Sequence, residues 1–214
     1  MPLLQKSEYG NSLIAVWKTT EPTEELLKLC HPAYRQELTA SGLKGGRLAE
    51  RAAVRALLSG IFPENPPIIL YREDGSPYIE NGNSISISHT KGYAAVMISG
   101  STACGIDIEL ISGRALRIRE RYMNSTDLDS FSGTDADATL CWSAKETAFK
   151  ATGRESYDFK NKIFLTKQEN FIVADSSSVR ILIHYYISRE FVLTWTEGGH
   201  QPEENGSKSR NLNI

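Results

Sequence analysis

The chain has 214 residues, 40% of them hydrophobic and 23% charged, and a formal net charge of -2. That length supports one large domain or two small ones sharing a core, and the near-neutral balance removes any global pull toward nucleic acid or an anionic membrane. Any affinity for phosphate must come from local basic residues. No apolar run approaches the length of a membrane span, and the opening Met1-Pro2-Leu3-Leu4-Gln5-Lys6 has no signal-peptide pattern, so the sequence predicts a cytoplasmic protein. Cys30, Cys104 and Cys141 show neither CxxC nor metal-ligand spacing and read as reduced thiols.

In chain order, Leu13 to Lys18 predicts a strand. Thr23 to Leu29 predicts a short helix, with Pro22 before it and Glu24 and Glu25 in its first turn. A longer helix is expected from Gly45 or Gly46 through Leu58, where Leu48, Ala52 and Arg55 recur at helical spacing. Ile68 to Tyr71 is a short apolar strand, and Asp74-Gly75-Ser76-Pro77 is turn chemistry. Ser84 to His89 alternates Ser and Ile, Tyr93 to Ser99 follows, and Asp107 to Glu109 closes a third strand; the three are expected to form an antiparallel meander. Arg114 to Leu128 reads as one arginine-bearing helix, Ser130 to Asp137 as a polar loop, and Ala138 to Thr152 as a helix ending at Gly153. Lys162 to Thr166, Val179 to Ser188 and Phe191 to Trp195 complete the strands. The expectation is an α+β fold in two halves of like element order, residues 1–104 and 105–197, joined near Ser99 to Gly105, with a disordered polar tail over 198–214.

The residues with chemical potential fall in four places. In Gly105-Ile106-Asp107-Ile108-Glu109, side chains two apart share a strand face, so both carboxylates point the same way. In Trp142-Ser143-Ala144-Lys145-Glu146-Thr147-Ala148-Phe149-Lys150, helical spacing puts Trp142, Glu146 and Lys150 along one stripe. If strand and helix pack together, three carboxylates converge beside a lysine, a set suited to a divalent cation holding a phosphate. Taken singly, each is an ordinary surface pattern, with Lys145 and Lys150 solvated. Third, Ser88-His89 ends a strand and can donate hydrogen bonds to phosphate; there is no G-x-S-x-G elbow, P-loop or G-x-G-x-x-G. Fourth, Arg47, Arg51 and Arg55 share a stripe at four-residue spacing, with Lys44 before them; they make either a bland basic face or a phosphate site.

Together these pieces resemble the 4'-phosphopantetheinyl transferases of the long, surfactin-synthetase-activating type. The resemblance rests on Ser86-Ile87-Ser88-His89, Gly105 to Glu109, and Trp142 to Lys150 in the family's order, with Arg47-x-x-Glu50-x-x-Ala53-x-Arg55 and Asp74-Gly75-Ser76-Pro77 upstream. It implies two similar α+β halves about a pseudo-two-fold axis, with coenzyme A in the cleft between them. The implied reaction moves phosphopantetheine from coenzyme A to a serine of an apo acyl or peptidyl carrier protein, releasing adenosine 3',5'-bisphosphate. It also implies Mg2+ on Asp107, Glu109 and Glu146, with Glu146 as general base and Lys150 stabilising the leaving group. Coenzyme A would be met by Arg47, Arg51 or Arg55, by Ser76 and Pro77, by Ser88 and His89, and by Asp107 and Lys150. Ser76 stands where the family usually has a basic residue, so one cation is missing or supplied elsewhere. Arg114, Arg117, Arg119 and Arg121, with Leu116 and Met123, are expected to dock an acidic carrier. By analogy a chain holding both halves is a monomer. The competing readings are a coenzyme A- or carrier-binding homologue without catalysis, which the acidic triad disfavours, and a nucleotide phosphohydrolase using the same metal site.

Overall fold

Strand alternation and helix caps account for most of the architecture. The computed structural model describes residues 3–9, 11–80, 82–100, 103–131, 133–152, 158–176 and 179–196; the predicted tail lies outside them. In the first half β1 (Leu3–Tyr9) and β2 (Ser12–Lys18) lead to α1 (Thr23–Leu29), α2 (Pro32–Ala40) and α3 (Gly45–Ile61). The hairpin β3 (Ile69–Tyr71) and β4 (Pro77–Ile79), then β5 (Ser84–Thr90) and β6 (Tyr93–Ser99), complete it. An antiparallel sheet runs in the order β1-β2-β6-β5. The helix α2 escaped the sequence reading because only Tyr34 and Leu38 mark its buried face; its start is nevertheless encoded, with Pro32 in the first turn and His31 Nδ1 accepting from the Ala33 amide at 3.2 Å.

The second half contains β7 (Ile106–Leu110), α4 (Gly113–Arg117), a 3-10 turn at Arg119–Arg121, α5 (Ser125–Ser130), α6 (Asp135–Ala151) and α7 (Phe159–Lys162). Then come β8 (Ile163–Lys167), β9 (Phe171–Ser176), β10 (Arg180–Ile187) and β11 (Phe191–Thr196), and the sheet order is β7-β11-β10-β9-β8. Three expectations are corrected here. The strand β7 does not extend a meander, because β6 already has both edges paired, to β2 and β5; β7 joins β11 instead. The single helix over Arg114 to Leu128 is three short pieces. Arg117 and Arg121 would repel at one-turn spacing, and Asn124 starts a new helix through a capping box with Asp127. Likewise Thr134 accepts from the Asp137 amide, so α6 begins inside the segment read as a loop.

Three hydrophobic clusters stack through the molecule. Trp17, Leu26, Leu57 and Val96 fill the space between α1–α3 and the first sheet. Leu140, Ala144, Leu165 and Ile183 do the same between α6 and the second. Between the sheets Ile14, Val16 and Met97 meet Ile106, Ile108 and Trp195. The order is thus helices, sheet, sheet, helices, and the α+β expectation holds. All three cysteines are free and buried, and burial pushes the Cys30 thiol up to about 11, away from thiolate chemistry. No helix among the described residues is long and apolar enough to cross a membrane.

Candidate active site

The acidic strand and the acidic helix meet across the outer face of the second sheet. Ile106 and Ile108 of β7 are fully buried between the sheets, so period-two alternation turns Asp107 and Glu109 toward α6. Close contact there depends on Gly105. A side-chain carbon at that position would lie 2.3 Å from the Thr147 carbonyl oxygen and 3.2 Å from Ala151 Cβ. Behind it, the Thr194 hydroxyl meets those of Ser143 at 2.9 Å and Thr147 at 2.6 Å, fastening α6 to β11.

Lys145 is not solvated. Its ammonium is wholly buried, 2.6 Å from Asp127, and donates to the carbonyls of Phe159 at 2.9 Å and Ile163 at 2.6 Å. A buried charge survives only when paired and hydrogen-bonded, and here the partner lies 18 residues upstream in α5. With Lys145 turned inward, Glu146 and Lys150 are left half-buried.

Lys150 Nζ donates to Asp107 Oδ1 at 2.8 Å and to the Ile106 carbonyl at 3.0 Å. The indole of Trp142 donates to Glu109 Oε1 at 3.2 Å, while its ring packs on Tyr122 and Phe159 at 5.1 and 5.6 Å between centroids. Burial, then the neighbouring Asp107 carboxylate, push the Glu109 carboxyl up to about 7; Glu146 adds to the rise, and the Trp142 hydrogen bond and Lys150 oppose it. Glu109 therefore senses both of the other carboxylates. Among the described residues no group of three His, Cys, Asp or Glu is gathered closely enough to form a ready metal cage. Two features nonetheless fit a cation: Asp107 Oδ2 is buried with no hydrogen-bond partner, and Glu109 is held toward its neutral form by burial and then by adjacent negative charge.

Residues 103–201 match the family model of the 4'-phosphopantetheinyl transferase superfamily. The matched span takes in Asp107, Glu109, Glu146 and Lys150 and lies in the second half of the molecule. No curated protein matches the chain.

A cavity of about 450 Å3 is lined from the first half by Arg72, Ser76, Pro77, Ser86 and Cys104 and from the second by Lys150 and Ala151. Gly75 turns the β3–β4 connection at φ +77°, and Asp74 accepts from the Ser76 amide at 2.8 Å. Arg72, which the sequence reading passed over, lies 4.8 Å over the Tyr78 ring and reaches Ser76 Oγ at 3.4 Å. It brings a guanidinium to the position where Ser76 lacks one. The only signal for it was its place four residues before Ser76 across a turn.

The basic stripe of α3 divides. Arg47 is exposed; Arg51 stacks over Tyr71 at 4.6 Å; Arg55 is 1% exposed and gives Glu37 a two-pronged hydrogen bond at 2.7 and 3.2 Å. The Arg55 charge is thereby committed to the core of the first half. His89 is exposed at the end of β5, 3.6 Å from Glu50, whereas Ser88 is buried and turned to Asp107. Arg114, Arg117, Arg119 and Arg121 all face solvent, but Met123 lies in the core and cannot take part in docking. Two further hollows flank Trp142: one of about 140 Å3 is lined by Glu109, Leu110, Ala115 and Ile118, and one of about 290 Å3 by Arg121, Glu146 and Phe159.

Proposed function

We propose that the protein transfers the 4'-phosphopantetheine group of coenzyme A to a serine hydroxyl of an apo acyl or peptidyl carrier protein. The observation that carries this reading is the Asp107–Lys150 pair, which ties the acidic face of β7 and α6 to the cleft that Lys150 lines, within the segment similar to the transferase superfamily. A Mg2+ held by Asp107, Glu109 and Glu146 would supply charge neutralisation on the pyrophosphate. Glu146 takes the proton of the attacking serine hydroxyl. The serine oxygen bonds to the β-phosphorus as the pyrophosphate bridge breaks, and adenosine 3',5'-bisphosphate leaves. Lys150, which lines the cleft, stabilises that leaving group. Arg47, Arg51 and His89 are read as contacts for the outer phosphates, with Ser76, Pro77 and Arg72 at the nucleotide end. The exposed arginines from Arg114 to Arg121 face the acidic carrier.

This is the long form of the fold, two related halves closing one cleft within a cytoplasmic monomer. The test is intact mass spectrometry of an apo carrier after incubation with coenzyme A and Mg2+. The phosphopantetheine increment is expected with the wild type, and Glu146→Ala lowers the loading rate by roughly 10^2- to 10^4-fold. A chain that binds coenzyme A yet loads neither fatty-acid nor peptide-synthetase carriers is instead a binding homologue.

A further inference from the structure

Asp107 has one saturated oxygen and one orphan. Oδ1 accepts from Lys150 Nζ at 2.8 Å and from Ser88 Oγ at 2.8 Å, whereas Oδ2 is buried and has no partner. The Ser88 hydroxyl also accepts from the Ile108 amide at 3.2 Å, and Ser86 Oγ accepts from the Ile106 amide at 3.1 Å. These two serines join the edge of the first sheet to the edge of the second through side chains.

A hydroxyl has one proton to donate. In Ser88 that proton is spent on Asp107, and the side chain is only 6% exposed. A phosphate oxygen can accept but not donate, so Ser88 cannot hold phosphate without releasing Asp107. We infer that Ser88 is a positioning residue: with Lys150 it clamps Asp107 Oδ1 and thereby presents Oδ2 as the single oxygen for the divalent cation. The inference rests on the transferase reading and replaces the phosphate-binding role expected of Ser88 from sequence. The Ser-His pair at the end of β5 thus divides its work between the cation, through Ser88, and the open cleft, through exposed His89.

The experiment measures two binding constants without turnover: Mg2+ affinity of the protein saturated with coenzyme A, and coenzyme A affinity in EDTA, both by isothermal titration. Loss of an outer hydrogen bond to a metal ligand typically weakens metal affinity about 10- to 100-fold. Ser88→Ala is expected to fall in that range while coenzyme A affinity in EDTA stays within about twofold, and Ser88→Thr, which restores the hydroxyl, is expected to recover the metal. Ser88→Cys keeps the side chain's size with a weaker donor, so if the alanine variant does not fold it carries the same expectation in milder form. Unchanged Mg2+ affinity in the alanine variant, or in the cysteine variant where alanine does not fold, or a loss of coenzyme A affinity in EDTA that matches the loss of metal, overturns the inference and returns Ser88 to the phosphate. A wild type that binds coenzyme A but no divalent metal overturns the reading of the site itself.

Discussion

Two lysines of helix α6 pair with aspartates, and the two pairs are finished differently. Lys145 and Asp127 are both fully buried, and every charged atom is answered: two carbonyls for the ammonium, the amides of Asn124 and Leu165 for the carboxylate. Lys150 and Asp107 sit at the cleft with 15% and 5% of their side chains exposed, and one carboxylate oxygen has no partner. A closed pair fixes α6 against α5, α7 and β8. An open pair keeps an acceptor in reserve for something that arrives later. On one helix, complete satisfaction marks architecture and incomplete satisfaction marks chemistry.

Breaking the closed pair has the largest expected effect. Lys145→Met leaves a buried carboxylate without its cation and is expected to cost about 3–5 kcal/mol in urea unfolding. Adding Asp127→Leu recovers only part of that, because Asp127 also receives two backbone amides; full recovery would show that the pair does not organise the helix end.

The open side responds to pH. The Glu109 carboxyl titrates at about 7 in the fold against 4.5 for the ordinary group. Below 4.5 it is protonated in both folded and unfolded chains and costs nothing. Between 4.5 and about 7 the unfolded chain ionises first and stability falls; above 7 the penalty is complete, on the order of 2–3 kcal/mol once partial exposure is allowed for. Glu109→Gln is therefore expected to stabilise the metal-free protein at pH 8 and to change little near pH 4.5, with Mg2+ narrowing the difference by stabilising the wild type. A pH-independent gain would mean that neither burial nor the neighbouring carboxylates push the Glu109 carboxyl up in the fold.

The smallest effect is expected at the far end of the cleft. Arg72→Gln should raise the KM for coenzyme A a few-fold, about 1 kcal/mol in kcat/KM, and leave kcat intact. An unchanged KM would remove Arg72 from the nucleotide end.

What was legible in sequence followed from short-range pattern. The strand at 107–109 and the helix carrying Glu146 were readable because period two and period 3.6 are local, and that was enough to turn Asp107 and Glu109 toward one face and Glu146 and Lys150 along one stripe. Lys145 was misplaced because its burial depends on Asp127, and no local rule pairs a helix lysine with an aspartate 18 positions away in the preceding helix. Arg55 was misplaced for the same reason, its partner Glu37 lying in a helix with almost no apolar stripe. The strand β7 went to the wrong sheet because proximity in sequence suggests neighbouring strands, and nothing in the text of β6 shows that its second edge is already taken by β2.

The serine seam between β5 and β7 has a consequence for how the molecule can be watched. The Ile106 and Ile108 amides are protected by hydroxyls of the other half, so their hydrogen exchange reports separation of the two edges. Exchange at β11 residues paired with β7 reports the second sheet alone. Comparing the two sets of amides gives a gauge of whether the halves part before either unfolds.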